Sequence, residues 1–186
     1  MLAIRRATEV HQDPLTDGLS NRGREWFKRY MIHHLSASGR ERSSALSGLT
    51  AALWLGGIIG VSFIATPVKF QAASLDLPTA LDVGRVTFGL FNKVEWGCWL
   101  LLAIAVGLER RGWLWVSLGA LGVMLVAQTF WLLPVLDVRV ERIIDGQPAE
   151  PTYHHLAYVA LEAAKALVLA LVAAGSLRRR VRQGLA

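Results

Sequence analysis

Charge is scarce in this chain: Asp, Glu, Lys and Arg make up 18% of its 186 residues, against 53% hydrophobic. Cysteine is nearly absent. The single thiol, Cys98, excludes an intrachain disulfide and a cysteine-ligated metal centre. The chain has no Ser-His-Asp arrangement, no phosphate-binding glycine loop and no dinucleotide fingerprint, so the commonest hydrolase and nucleotide-dependent classes have no residues to stand on. The opening MLAIRRATEV carries no apolar core of signal-peptide length. No cleaved leader is expected, and the first long apolar run directs insertion. Met31 offers a second translation start.

Long apolar runs are what the chain has in abundance. A hydrocarbon core about 30 Å thick needs roughly 20 apolar residues per helix. Four runs reach that length. Ala45–Val68 and Gly112–Leu136 are uncharged; the run from Arg85 to Glu109 holds only Lys93 and Glu95, and His155–Leu177 only Glu162 and Lys165. Buried soluble helices are usually shorter and amphipathic. The expected fold class is therefore all-α, a polytopic membrane protein with a four-transmembrane-helix bundle, its helices spanning 45–68, 86–108, 112–136 and 155–177.

The basic residues set an orientation. Fourteen of the twenty Lys and Arg residues fall before the first run, in the 110–111 turn, or after residue 177. Cytoplasmic loops collect such residues. Both termini and the 109–111 turn are thus expected in the cytoplasm, and the loops 69–85 and 137–154 outside, in a multi-pass inner-membrane protein. This bias accounts for the net charge of +6 without a nucleic-acid partner; the lipid bilayer is the partner implied, and a homo-oligomer or a membrane complex is compatible. Residues 1–42 form the cytoplasmic N-terminal segment and 178–186 a basic tail. Residues 1–24 read as polar and loosely ordered. Residues 25–35 (EWFKRYMIHHL) read either as an interfacial amphipathic helix with Trp26, Phe27 and Tyr30 dipping into the membrane, or as a flexible tail. Pro78-Thr79 and Pro151-Thr152 read as helix starts, and Asp145-Gly146 as a turn.

A shift of 67 residues aligns the two halves without a gap. Phe63-x-x-x-Pro67-Val68 falls on Phe130-x-x-x-Pro134-Val135, and Glu95 on Glu162. The bundle is therefore expected to be built from two parallel two-helix repeats, related by an axis along the membrane normal. Gly56-x-x-x-Gly60, Ala103-x-x-x-Gly107 and the Ala166, Ala170, Ala174 series are candidate packing seams.

The motifs Trp54-Leu-Gly-Gly57, Ala65-Thr-Pro67-Val-Lys-Phe70, Gly84-Arg85 and Phe88-x-x-Phe91 resemble the transmembrane-protein-205-like family. The resemblance covers residues 48–176 and implies a four-helix membrane bundle, without implying a biochemical activity. Copper-resistance-type and haem-pathway membrane proteins also use Trp-x-Gly-Gly helices. They carry His residues within the bundle, and this sequence has few.

Glu95 and Glu162 are the leading candidates for chemistry. A charged side chain in hydrocarbon costs about 2.5–3.5 kcal/mol on insertion scales, so each should face the interior and find a partner. Lys165 lies three residues after Glu162 on one helix face, and Lys93 is close to Glu95 in sequence; an ion pair that only fixes packing explains the same residues. His155, Tyr158 and Glu162 share a face, as do Phe88, Asn92 and Glu95. His155, Glu162 and Glu95 are the ligands for a divalent metal, if one binds, though the spacing matches no standard motif. Arg85 reads as snorkelling to headgroups, with guarding an entrance for anions as the alternative. Gln128 and Thr129 read as interhelical hydrogen bonders, Trp113, Trp115 and Trp131 as aromatic belts, and Trp54, Trp96 and Trp99 as core. Three functions follow: a polar centre of Glu95, Glu162, His155, Asn92, Tyr158 and Lys165 that handles a proton, cation or small solute without a cofactor or serves an accessory subunit; a metal- or haem-binding oxidoreductase; and a purely structural subunit.

Overall fold

The computed structural model describes residues 14–109, 111–148 and 153–184. Its helices are α1 (Pro14–Ile58), α2 (Thr66–Lys69), α3 (Leu77–Glu109), α4 (Gly112–Ala127), α5 (Leu133–Ile144) and α6 (His154–Gly184). Two π-helical segments, Ile59–Ala65 and Gln128–Leu132, join α1 to α2 and α4 to α5. The described residues contain no strand. Four stretches are long and apolar enough to cross a membrane: Arg42–Lys69, Leu77–Glu109, Gly112–Ile144 and His154–Arg179. The protein is an all-α polytopic helical protein.

The chain divides into two compact units, Met1–Arg40 and Glu41–Ala186. In the first, residues 14–24, expected to be loosely ordered, are helical, and so is the 25–35 segment. Trp26 and Phe27 are exposed there. Residues 1–13, the Tyr30 side chain and the Pro151-Thr152 helix start lie outside what is described.

In the second unit the spans outrun their apolar cores. α3 starts at Leu77, beside the expected Pro78-Thr79 start and ahead of the apolar span at 86, because Asp76 caps it: its side chain accepts from the Thr79 N–H at 3.3 Å, and Pro78 sits in the first turn, where its missing N–H costs nothing. The third span continues to Ile144, so residues 137–144, expected in a loop, are helical. It ends in a left-handed turn. Gly146 has φ +71°, and the Gln147 and Gly146 N–H groups return to the carbonyls of Arg142 and Ile143.

The π segments have a local cause. Proline has no N–H to offer, and its ring crowds the carbonyl four residues back. For Pro67 and Pro134 that carbonyl belongs to Phe63 and Phe130. The turn ahead of each proline widens: Thr66 N–H bonds to Val61 O, and Leu133 N–H to Gln128 O, each five residues back. A widened turn re-phases every side chain around it.

The core is a slab of Trp54, Ile58, Leu102, Leu114, Leu118, Leu121, Leu125, Leu169 and Val172. Outward-facing residues are just as apolar; Val116, Val123 and Phe130 are each over 70% exposed. Such a surface fits lipid and not water. The close approach between the first span and α6 occurs at Gly48, where an added Cβ would meet Ser176 Cβ at 2.7 Å. Gly56 and Gly60, expected in a seam, and Gly107 have open space around them and do not pack within the chain.

Candidate functional site

Glu95, near the middle of α3, and Glu162 and Lys165, one turn apart on α6, meet inside the bundle. Each is at most 1% exposed. Lys165 Nζ pairs with Glu95 Oε1 and, at 2.7 Å, with Glu162 Oε1. Lys93, the other candidate partner, does not take part: it is exposed on the far face of α3. A helix turns about 100° per residue, so two residues before Glu95 the side chain points away from it.

Residues from the other two spans complete the cluster. Trp54 Nε1 of α1 donates to Glu95 Oε1 at 3.0 Å. Ser62 Oγ, from the first π segment, donates to Glu162 Oε2 at 2.9 Å, and Gln128 Nε2, from the second, to Glu162 Oε1 at 2.8 Å. Both π segments therefore deliver a donor to one carboxylate. Gln128 and Thr129 are interhelical hydrogen bonders as expected, with the addition that Gln128 binds a charged group. Trp54 and Ser62 were missed as ligands of the carboxylates. The available signal was a Trp deep in an uncharged run, away from the interfacial belts where Trp usually anchors.

The hydrogen bonds divide unevenly. Glu162 uses both oxygens and accepts three bonds. Glu95 accepts both of its bonds on Oε1, leaving buried Oε2 without a protein partner; Gln128 Oε1 is in the same position. Asn92, one turn before Glu95, joins a neighbouring network. Thr129 Oγ1 lies 3.0 Å from Asn92 Oδ1, 2.7 Å from Leu125 O and 3.0 Å from Trp96 Nε1. The hydroxyl has one proton, and the Leu125 carbonyl can only accept it. The Asn92 amide is thus better turned round, its NH₂ donating to Thr129. Tyr158, also buried, brings its hydroxyl towards Glu162 without an aligned hydrogen bond.

His155 is not part of this cluster. It is exposed and lines a separate cavity at the end of the bundle where α2 stops and α6 begins. Among the described residues no three of His, Cys, Asp and Glu come together as a metal set. The expected ligand trio of His155, Glu162 and Glu95 is therefore not assembled, because His155 lies two turns from Glu162 towards the helix mouth. Arg85, expected to snorkel to headgroups, is partly exposed at the start of α3. It pairs with Asp82 at 2.7 Å and Glu141 at 3.0 Å, tying the start of α3 to α5. At the opposite end, Glu109 is buried, accepts from Ser47, and lies 3.8 Å from Arg111. This clamp had no sequence signal beyond a charge at a helix terminus. Trp99 is a donor as well as a core residue, bonding Leu118 O at 3.0 Å.

Residues 49–139 match the model of a family described as a domain of unknown function, DUF4149. That stretch contains Trp54, Ser62, Glu95 and Gln128, and ends before Glu162 and Lys165. No curated protein and no solved structure matches the chain. Its four helices long and apolar enough to cross a membrane fit an integral membrane protein.

Proposed function

We propose that the Glu95–Lys165–Glu162 cluster is a proton-exchanging centre and that the protein moves or senses protons across its membrane. The observation that carries this is the charge count. Two carboxylates and one ammonium leave one negative charge in a dry interior, where each unbalanced charge is costly. One bound proton makes the cluster neutral. The hydrogen bonds indicate where it sits: Glu162 is held by three donors, which suits an ionised carboxylate, whereas Glu95 Oε2 has room for a hydrogen. A monovalent cation would balance the same charge.

The test is infrared spectroscopy of the reconstituted protein in neutral buffer. A protonated-carboxyl carbonyl band is expected in the wild type and lost in both Glu95→Gln and Glu162→Gln, since either change leaves one carboxylate to balance Lys165. In liposomes loaded with a pH-sensitive dye, the wild type should pass protons under an imposed potential and Glu95→Gln should not. No carboxyl band in the wild type, or equal flux in both, removes the reading.

Several broader points belong to this proposal. The protein sits in the inner membrane with both termini in the cytoplasm, as the distribution of basic residues supports. Its halves are a duplicated two-helix unit; the π segments ahead of Pro67 and Pro134 support this, since they recur at the offset that aligns Glu95 with Glu162. Its kinship with the transmembrane-protein-205-like family rests on the Trp54, Lys69 and Gly84 motifs. A second reading, a subunit of a larger membrane assembly, is favoured by Lys93. That cation stands exposed halfway along α3, where lipid alone would leave it without a counter-charge.

A further inference from the structure

The cavity that holds His155 has its own chemistry. It encloses about 380 Å³, within the range of small-ligand pockets, and lies between α2, α3, α5 and α6. Its walls are mainly apolar, including Leu77, Leu81, Phe88, Leu133, Leu136 and Ile143. Set into them are Lys69, Arg85, Asp137 and Arg139, the last engaged in an interaction of its own.

Lys69 is the exceptional group. Its ammonium lies 5.0 Å from the Phe70 ring centre and 5.8 Å from that of Phe88, and among the described residues it makes no ion pair or hydrogen bond. Two aromatic faces hold a cation in place but leave its charge unneutralised. Room for it is made by Gly84: a Cβ there would stand 2.1 Å from Lys69 Nζ. Arg85, by contrast, has its guanidinium engaged by Asp82 and Glu141. Among the described residues, the cavity thus offers the Lys69 ammonium as an unpaired positive charge beside an apolar chamber.

We infer that this cavity binds a single-chain carboxylic acid, a fatty-acid-like amphiphile, with its carboxylate on Lys69 and its alkyl chain against the leucines and Phe88. A carboxylate matches one free ammonium. A phosphate monoester, close to doubly charged, calls for a second free cation or an open guanidinium fork; here the Arg85 fork is taken, Arg139 is engaged in an interaction of its own, and Asp137 adds a negative charge to the wall. This inference does not rest on the proton-exchange reading, since the cavity shares only Tyr158 with the walls of the buried cluster.

The test is equilibrium binding of radiolabelled palmitate to the full chain in nonionic detergent at alkaline pH. Saturable binding is expected, displaced by unlabelled palmitate and not by hexadecanol, which has the same chain and no charge. Lys69→Gln should weaken it about tenfold or more, the worth of a charge-assisted hydrogen bond, and Lys69→Arg should restore most of it. Gly84→Ala should weaken it as well, with folding of each variant checked by helical circular dichroism and elution as a single species. Three results would each overturn the proposal: hexadecanol competing as well as palmitate, Lys69→Gln binding like the wild type while folded, or lysophosphatidate displacing palmitate more strongly than palmitate displaces itself. The outcome is independent of Glu95→Gln, which removes the proton centre and leaves this cavity intact.

Discussion

At the residue scale, the central fact is that one lysine serves two carboxylates. Lys165 is fully buried and bridges Glu95 and Glu162. A buried ion pair is weak evidence for stability, since its attraction roughly repays desolvation, but removing one partner leaves an uncompensated charge. Lys165→Met should therefore destabilise the protein by about 3–5 kcal/mol. The triple variant Glu95→Gln, Glu162→Gln, Lys165→Met, which leaves no charge behind, should recover most of that loss. Thermal unfolding in detergent checks both. A triple variant no more stable than Lys165→Met would show that Lys165 contributes through its packing and not its charge.

At the element scale, helix contact is decided by where the chain has no side chain to interpose. Gly48 faces Ser176 with no space for a methyl group, whereas Gly56 and Gly60 face outward into open space. Gly48→Ala should cost about 1–3 kcal/mol, the range for overpacking. Gly56→Ala should be neutral or stabilising by about 0.5–1 kcal/mol, because alanine is the better helix former. Comparing the two by thermal unfolding separates them by sign. The π segments sit at the same scale: the first holds Ser62 and the second begins at Gln128, and both residues contact Glu162.

At the scale of the whole molecule, four spans place the 70–76 and 145–153 connections at one end of the bundle and the turn between α3 and α4 at the other. On a Cys98→Ser background, single cysteines at Ser74 and Gln147 should react with an impermeant maleimide added to intact cells, and one at Gly112 should react only after the membrane is opened. In the same series, Lys93→Cys should cross-link to a membrane neighbour if that face is an interface between subunits. Labelling of Gly112→Cys from outside would reverse the orientation assigned from the basic residues.

The sequence by itself determined the four spans, since only hydrocarbon accommodates runs of that length and composition, and it singled out Glu95, Glu162 and Lys165, since charge within such runs is expensive. Periodicity places a residue on a face of its own helix; it does not say which helix that face meets. So it was the tertiary structure that paired Lys165 with Glu95, turned Lys93 outward and engaged Arg85 with Asp82 and Glu141. It also drew His155 away from the carboxylates into a cavity with Lys69. Gln128 continues the buried stripe of Leu114, Leu118, Leu121 and Leu125 and was legible as an interhelical hydrogen bonder. That it and Ser62 both meet Glu162 was not, because which carboxylate a donor reaches depends on how the spans pack, and only the folded backbone shows that.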